Sequence, residues 1–180
     1  MPISSRSAEV SDAICEYGIG QPSQFLESEG VTYGHYSERV KRPIRRIEVP
    51  KSRVVLILEL ANGLGLNPAG KAADGLKHHA FVSGLSQRPI LTEHCGESKG
   101  IEIELTVLTA YELFGPVTDS ACSLISLEDV WGKHINQLIE QIIQMTTWEE
   151  RFSLIDNVLS ERLSASTHSG RPEGSWAWHQ

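Results

Sequence analysis

Seven histidines, three cysteines and several closely spaced glutamates are the residues of this 180-residue chain that could do chemistry. Histidine, cysteine and carboxylate side chains hold zinc and similar ions when several of them converge. On a strand, alternate residues share a face, so a ligand pair needs one residue between its members. His78 and His79 are adjacent and point to opposite faces, and neither His35 nor His94 stands at a spacing that completes a set. Glu93-His94-Cys95 spreads its ligand types over both faces of one strand. The expectation is therefore no metal and no cofactor. Nucleophilic catalysis fares no better: G-x-S-x-G is absent, and no cysteine stands in a recognisable pairing with a histidine. Glu102 and Glu104 share one strand face and read as polar surface, too open for paired acid–base work. The chain is not expected to be an enzyme.

The basic run Arg39, Lys41, Arg42, Arg45 and Arg46 stands out in a chain whose formal net charge is -7. Neutralising a phosphate backbone takes a surplus of lysine and arginine, and no groove-reading element lies beside this run. A solvated strand rim is the plain reading, with an anion-binding or partner-binding rim as the other use. Hydrophobic residues at 40% and charged residues at 22% are ordinary globular usage, and the length suits one domain burying roughly 70% of its unfolded surface. Cys15, Cys95 and Cys122 are scattered and odd in number, which fits reduced thiols inside a cell better than a disulfide framework. The first residues, MPISSRSAEVSD, have no apolar stretch of the signal-peptide kind, and the longest apolar run, Val54 to Leu58, is too short to span a bilayer. A cytoplasmic protein without a membrane partner is expected.

The elements that must position these residues change period within Gly100–Trp131. Ile101, Ile103, Leu105 and Val107 alternate with Glu102, Glu104 and Thr106, as on a strand with one buried face. Beyond them Ala110, Leu113 and Phe114, then Leu127, Val130 and Trp131, repeat at helical spacing. Before this switch the chain is strand-like. Residues up to Gly30 are weakly patterned, with Gly18 and Gly20 expected to break regular structure. Strands are predicted over Val31–Val40, Ile44–Val49, Val54–Leu58 (central), Leu76–Leu85, Ile90–Cys95 and Ile101–Val107. Turns are expected at Pro43 and Gly96–Gly100, and a loop over Asn62–Gly75. Six strands at this spacing suggest a small antiparallel barrel or jelly roll. After the switch, one broad-faced helix is predicted from Ser126 to Met145. A second, opened by a capping box at Thr147 and Glu150, carries Trp148, Phe152, Ile155, Leu159 and Leu163. Ser164–Gly170 has linker composition.

The segments VVLILEL, FVSGLSQRPILTEHCGESKGIEIELTVLTAYELFG, SLEDVWG, WEERFSLIDNVLSERL and RPEGSWAWHQ, in this order and spacing, resemble the N-terminal regulatory region of a group of AraC-type transcription regulators, from about Tyr33 to Gln180. The resemblance implies an α+β fold: a small cupin-like antiparallel β-barrel or jelly roll followed by an α-helical hairpin. It divides the chain into a β sensor region (1–125), a helical hairpin with a possible dimerisation role (126–165), and a linker leading toward a DNA-binding domain (166–180). It implies a small-molecule effector, a homodimer, and contact with DNA only through a C-terminal helix-turn-helix domain that this sequence does not contain. A cupin-like metal protein or enzyme, and a free-standing module that pairs with intact regulators, are the alternatives. Tyr33, His35, Tyr36, His78 and Phe81, aromatic or polar and on predicted strands, are the candidate ligand-binding residues. Leu138, Ile139, Ile142 and Ile143, which widen the apolar face of the first hairpin helix, are the candidate dimer contacts.

Overall fold

The structure, a computed structural model, describes residues 14–68, 76–85, 88–116 and 124–168. Its frame is an antiparallel sheet of β1 (Ile14–Gly20), β2 (Thr32–Glu48), β3 (Val54–Glu59), β4 (Gly65–Pro68), β5 (Ala80–Ser83), β6 (Ile90–Leu105) and β7 (Leu124–Ser126). The strand order is β1-β2-β6-β3-β5-β7, with β4 paired to the first half of β6. Among the described residues five helices complete it: α1 (Gln24–Ser28), α2 (Val107–Phe114), α3 (Leu127–Trp131), α4 (His134–Gln144) and α5 (Trp148–His168). The chain is α+β, strands first and helices mostly after. Among the described residues the two end strands, β1 and β7, do not pair, so the expected barrel is not closed.

Four of the predicted strands are really two. Val31–Val40 and Ile44–Val49 merge into β2, while Ile90–Cys95 and Ile101–Val107 merge into β6, and the two long strands pair along most of their length. Pro43 makes a bulge here and not a turn. It falls in the register shift between Val40 and Ile44, where its missing N–H costs no ladder bond. Gly96, opposite the bulge, takes φ 81°, a left-handed conformation that glycine adopts without strain. The ribbon has different neighbours at its two ends, β1 and β3 at one and β4 at the other, which keeps the sheet open. Gly18 and Gly20 do not break structure either. They belong to β1, where a methyl at Gly18 would run into the His35 imidazole and one at Gly20 would stand 2.5 Å from the Phe152 ring. Glycine here lets α5 approach the sheet. The loop expected over Asn62–Gly75 contains β4, with 69–75 outside the described residues, and the strand expected over Leu76–Leu85 shortens to β5 plus a bridge from His78 to Leu64.

One face of the sheet carries the helices. Tyr33, Leu56, Leu58, Ile101, Ile103 and Val82 pack against Phe114, Trp131, Ile135, Ile139, Ile142, Phe152, Ile155 and Leu159 in one continuous core. The helix expected from Ser126 to Met145 is two. Gly132, at φ 73°, stops α3 by donating its N–H to the Glu128 carbonyl at 2.8 Å, and α4 starts afresh. The capping box at Thr147 and Glu150 forms as predicted. Glu150 N–H donates to Thr147 Oγ1 at 3.2 Å, and Thr147 N–H to Glu150 Oε2 at 3.1 Å. Arg151 fastens the corner between α4 and α5. Its guanidinium donates to the carbonyls of Ile142 (3.1 Å), which also accepts the Met145 N–H, and of Met145 (2.5 Å), at the carbonyl-rich end of α4. α5 then runs through the expected linker as far as His168, since Ser164–Thr167 contains neither glycine nor proline. Cys122 and the RPEGSWAWHQ segment lie outside the described residues.

This packing separates the four candidate dimer contacts. Ile139 and Ile142 are buried in the chain's own core and Leu138 packs against it, because the broad apolar stripe of α4 is needed between the sheet and α5. Ile143 alone of the four is exposed.

Candidate functional site

Cross-strand partners share a face, and that rule sorts the candidate ligand residues into two groups. Tyr33 pairs with Ile103 and His35 with Ile101, which puts both on the helix-bearing face. Tyr33 stacks on Phe152 with ring centroids 5.4 Å apart and donates its hydroxyl to Asp156 Oδ1 at 3.1 Å. Burial and the neighbouring Asp156 carboxylate push its phenol far above the usual range. His35 stacks on Trp148. Tyr36 pairs with Gly100, and Phe81 with Ile57, on the opposite face. His78 stands beside Phe81 in an edge-to-face arrangement with centroids 6.4 Å apart. The five therefore do not line a single pocket.

The face away from the helices is buried in its middle and polar there. Glu59, which closes the apolar run of β3, has no solvent exposure. Its Oε2 accepts from the Tyr36 hydroxyl (2.8 Å) and the Ser98 hydroxyl (3.0 Å). Its Oε1 accepts from the backbone N–H groups of Lys99 (3.0 Å) and Ala61 (3.2 Å). Gly100 has no side chain between Tyr36 and β3: a methyl there would sit 2.5 Å from the Tyr36 hydroxyl and 2.6 Å from the Leu58 carbonyl. Burial, and the adjacent Glu59 carboxylate after it, hold the Tyr36 phenol well above its ordinary value. Beside this cluster Glu38, which pairs with Ser98 across the ladder, is also buried. One of its oxygens takes the Arg46 guanidinium, and the other lies 3.3 Å from His94 Nε2, without the alignment of a hydrogen bond. A small apolar group of Leu64, Leu66 and Phe81, with Ile57 and Leu124 against it, covers the neighbouring surface.

Chemically this is a set of clamps. Four donors converge on Glu59 and occupy the lone pairs with which it could ligate an ion. They tie β3 to the β2–β6 ribbon. Glu38 spans the bulge of β2, joining the strand on one side of the register shift to Arg46 on the other. Among the described residues, no three His, Cys, Asp or Glu side chains stand close enough to hold a metal. The basic run is a strand rim answered from β6 by Glu97 for Arg39 (3.4 Å) and by Glu93 for Arg45 (2.5 Å), and from β2 itself by Glu38 for Arg46, while Lys41 and Arg42 sit exposed at the bulge. Lys51 bridges Glu102 and Glu104 on their shared face. Hollows among the described residues lie on the helix side. A void of about 10 Å³, room for no more than a water molecule, lies among Leu56, Leu58, Ile103 and the helices. A groove of about 160 Å³ runs between the start of β5 and α4, bordered by His78, His79, Ser126, Glu128 and Asn136 above Ala80, Ile135 and Ile139. Of the five candidate ligand residues, His78 borders this groove.

Sequence reading passed over Glu38, Glu59 and Ser98. Two signals pointed to them: a lone acid ending the all-apolar run VVLILE, and the period-two placement of Glu38 after Tyr36.

His94 gives the cluster a pH dependence. Burial lowers its pKa from the usual value, a larger effect than the opposing pull of Glu38, and Arg46 and Lys77 act in the same direction as burial. The unfolded chain therefore binds a proton at a pH where the folded chain does not. Stability is complete above the ordinary histidine value of about 6.5 and falls as the pH drops below it. The urea midpoint is expected to decline from pH 7.5 to pH 5, and His94→Gln should flatten that decline.

No protein-family model matches the chain. No curated protein matches it either. Among solved structures, one that matches is described as the crystal structure of the AraC-like transcriptional activator CuxR. It is 14% identical, with a TM-score of 0.35, over 88% of this chain and 64% of that one. This chain thus spans under two thirds of that activator's length. No helix among the described residues is long and apolar enough to cross a membrane.

Proposed function

We propose that this chain is a regulatory domain of an AraC-type transcription regulator: a part that receives a small-molecule effector, pairs two copies and leaves DNA reading to a helix-turn-helix domain. The observation that carries the reading is the run of five segments, in order and at matching spacing, that resembles the regulatory region of such proteins. The architecture supports it, with a β part first and a helical part after, in the order the resemblance implies. A cupin-like origin for the sheet belongs to the same reading. So does a homodimer through the outer edge of α4, where Ile143 is about half exposed. The clamps around Glu59 and Glu38 stiffen the sheet and carry no catalytic set, which suits a domain that binds and transmits.

The reading has a direct test. With a net charge of -7, the chain has no surplus of cations to neutralise phosphate. Gel-shift titration of the isolated chain at low salt, against promoter fragments, is expected to give no sequence-specific complex. A specific complex would overturn the division of labour proposed here.

A further inference from the structure

We propose that His35 makes the seating of α5 acid-sensitive: a proton on its imidazole releases the first turns of α5 from the sheet while the rest of the helix stays docked. The imidazole is held between two elements. On the β1 side it lies against the backbone of Gly18, close enough that no side chain could stand there. On the α5 side it stacks on Trp148, with centroids 4.1 Å apart and planes 24° from parallel, and Phe152 lies 6.0 Å away. His35 is 8% exposed, and its Nδ1 has no hydrogen-bond partner. A ring in this setting is at home when neutral.

The cations gathered on Trp148 make the charged form costly. Its indole already faces two cations, the Arg151 guanidinium at 4.6 Å and the Lys99 ammonium at 5.1 Å. An imidazolium would be a third positive charge around one ring, and a buried N–H would be left without an acceptor. The charged groups facing His35 are Glu16 from β1, Glu149 and Arg151 from α5, and Lys99 from β6. Glu16 and Glu149 attract a proton to His35, but both are exposed and screened by solvent. Burial outweighs them and holds the His35 pKa below the ordinary value, with Arg151 and Lys99 adding to it. The docked arrangement is therefore complete above a pH of about 6.5 and weakens as the pH falls below it.

Release stays local because the rest of α5 has its own anchorage. Ile155, Leu159 and Leu163 are each buried in the common core, on turns beyond the His35 contact. Glu150 caps the same end of α5, but its hydrogen bonds to Thr147 and Thr146 hold its carboxyl below the usual range, so it remains ionised at pH 5.5. His94, the other lowered histidine, stands on the opposite face of the sheet, away from α5.

Amide hydrogen exchange of the full chain, read by mass spectrometry at pH 7.5 and pH 5.5 and corrected for intrinsic exchange rates, tests this. At pH 5.5 the segment Glu150–Leu154 should lose about tenfold or more of its protection, while Ile155–Leu163 keeps its own. His35→Gln should remove the pH-dependent loss. Lys99→Met, which withdraws one cation from Trp148 and leaves the backbone N–H of that residue on Glu59, should reduce it. If His35→Gln does not fold, Lys99→Met decides alone: a smaller loss supports the proposal and an equal one overturns it. Unchanged protection of Glu150–Leu154 in the wild type, or a loss shared equally by Ile155–Leu163, would also overturn it.

Discussion

Glu59→Ala should destabilise the chain by about 4 kcal/mol, because it orphans four donors at once in a site that water does not reach. Tyr36 and Ser98 lose the acceptor of their hydroxyls, and Lys99 and Ala61 lose that of their backbone N–H groups. For a chain of this length that loss lowers Tm by roughly 8–16 °C. Glu59→Gln should also cost stability, since the new amide turns two donors toward groups that are themselves donors. The cost belongs to the unsatisfied partners and not to the absence of a charge. Tyr36→Phe and Ser98→Ala combined with Glu59→Leu should therefore recover part of it. Thermal unfolding of the three variants measures this. A Glu59→Ala variant within about 1 kcal/mol of wild type would mean that the cluster is open to water and not a clamp.

Ile142→Glu should be worse. Ile142 has no solvent exposure and lies in the core between α4, α5 and the sheet. A carboxylate there is buried with no partner, a change on the order of 4–5 kcal/mol that leaves little or no folded protein at 37 °C. Ile139→Glu, at the same buried stripe, should behave alike. Ile143→Glu, one residue on and about half exposed, should leave the far-UV circular dichroism unchanged. Under the dimer reading it should also shift light scattering from dimer toward monomer. If Ile142→Glu folds normally, α4 is not packed as described.

The difference between these neighbours shows what the sequence could and could not reveal. The period of 3.6 in α4 was plain, and so was its broad apolar face. Which side of that face is core depends on where α5 lies, and no pattern within α4 carries that. Gly132 takes a left-handed conformation that splits α3 from α4, and a glycine inside an apolar helical pattern reads equally as a weak interior residue or as such a stop. In the β part, alternation identified the strands well. Pro43 and Gly96 looked like punctuation between separate strands because a bulge and a turn use the same residue types; only the pairing of Val40 with Gly96 and of Ile44 with His94 distinguishes them. The capping box at Thr147 and Glu150 was fully legible, being a local motif with a local cause. The candidate ligand residues failed to gather for the reason that parity dictates: Tyr33 and His35 differ by two and share a face, and Tyr36, an odd number of residues from each, takes the other. Which face would be covered by helices was not local information. Glu59 was hidden by its surroundings, since an acid after five apolar residues looks like the end of a strand until Tyr36 and Ser98 are brought across from two other strands.

The central proposal is that this chain is the part of a transcription regulator that pairs two DNA-binding units. The most direct measurement fuses the chain to a helix-turn-helix module that occupies paired half-sites only weakly as a monomer, and compares operator affinity with that of the module alone. Pairing two weak readers should tighten binding to the paired site by on the order of 100-fold, with no change at a single half-site, and Ile143→Glu should abolish most of the gain. Equal affinity of fused and unfused modules for the paired site would contradict the account.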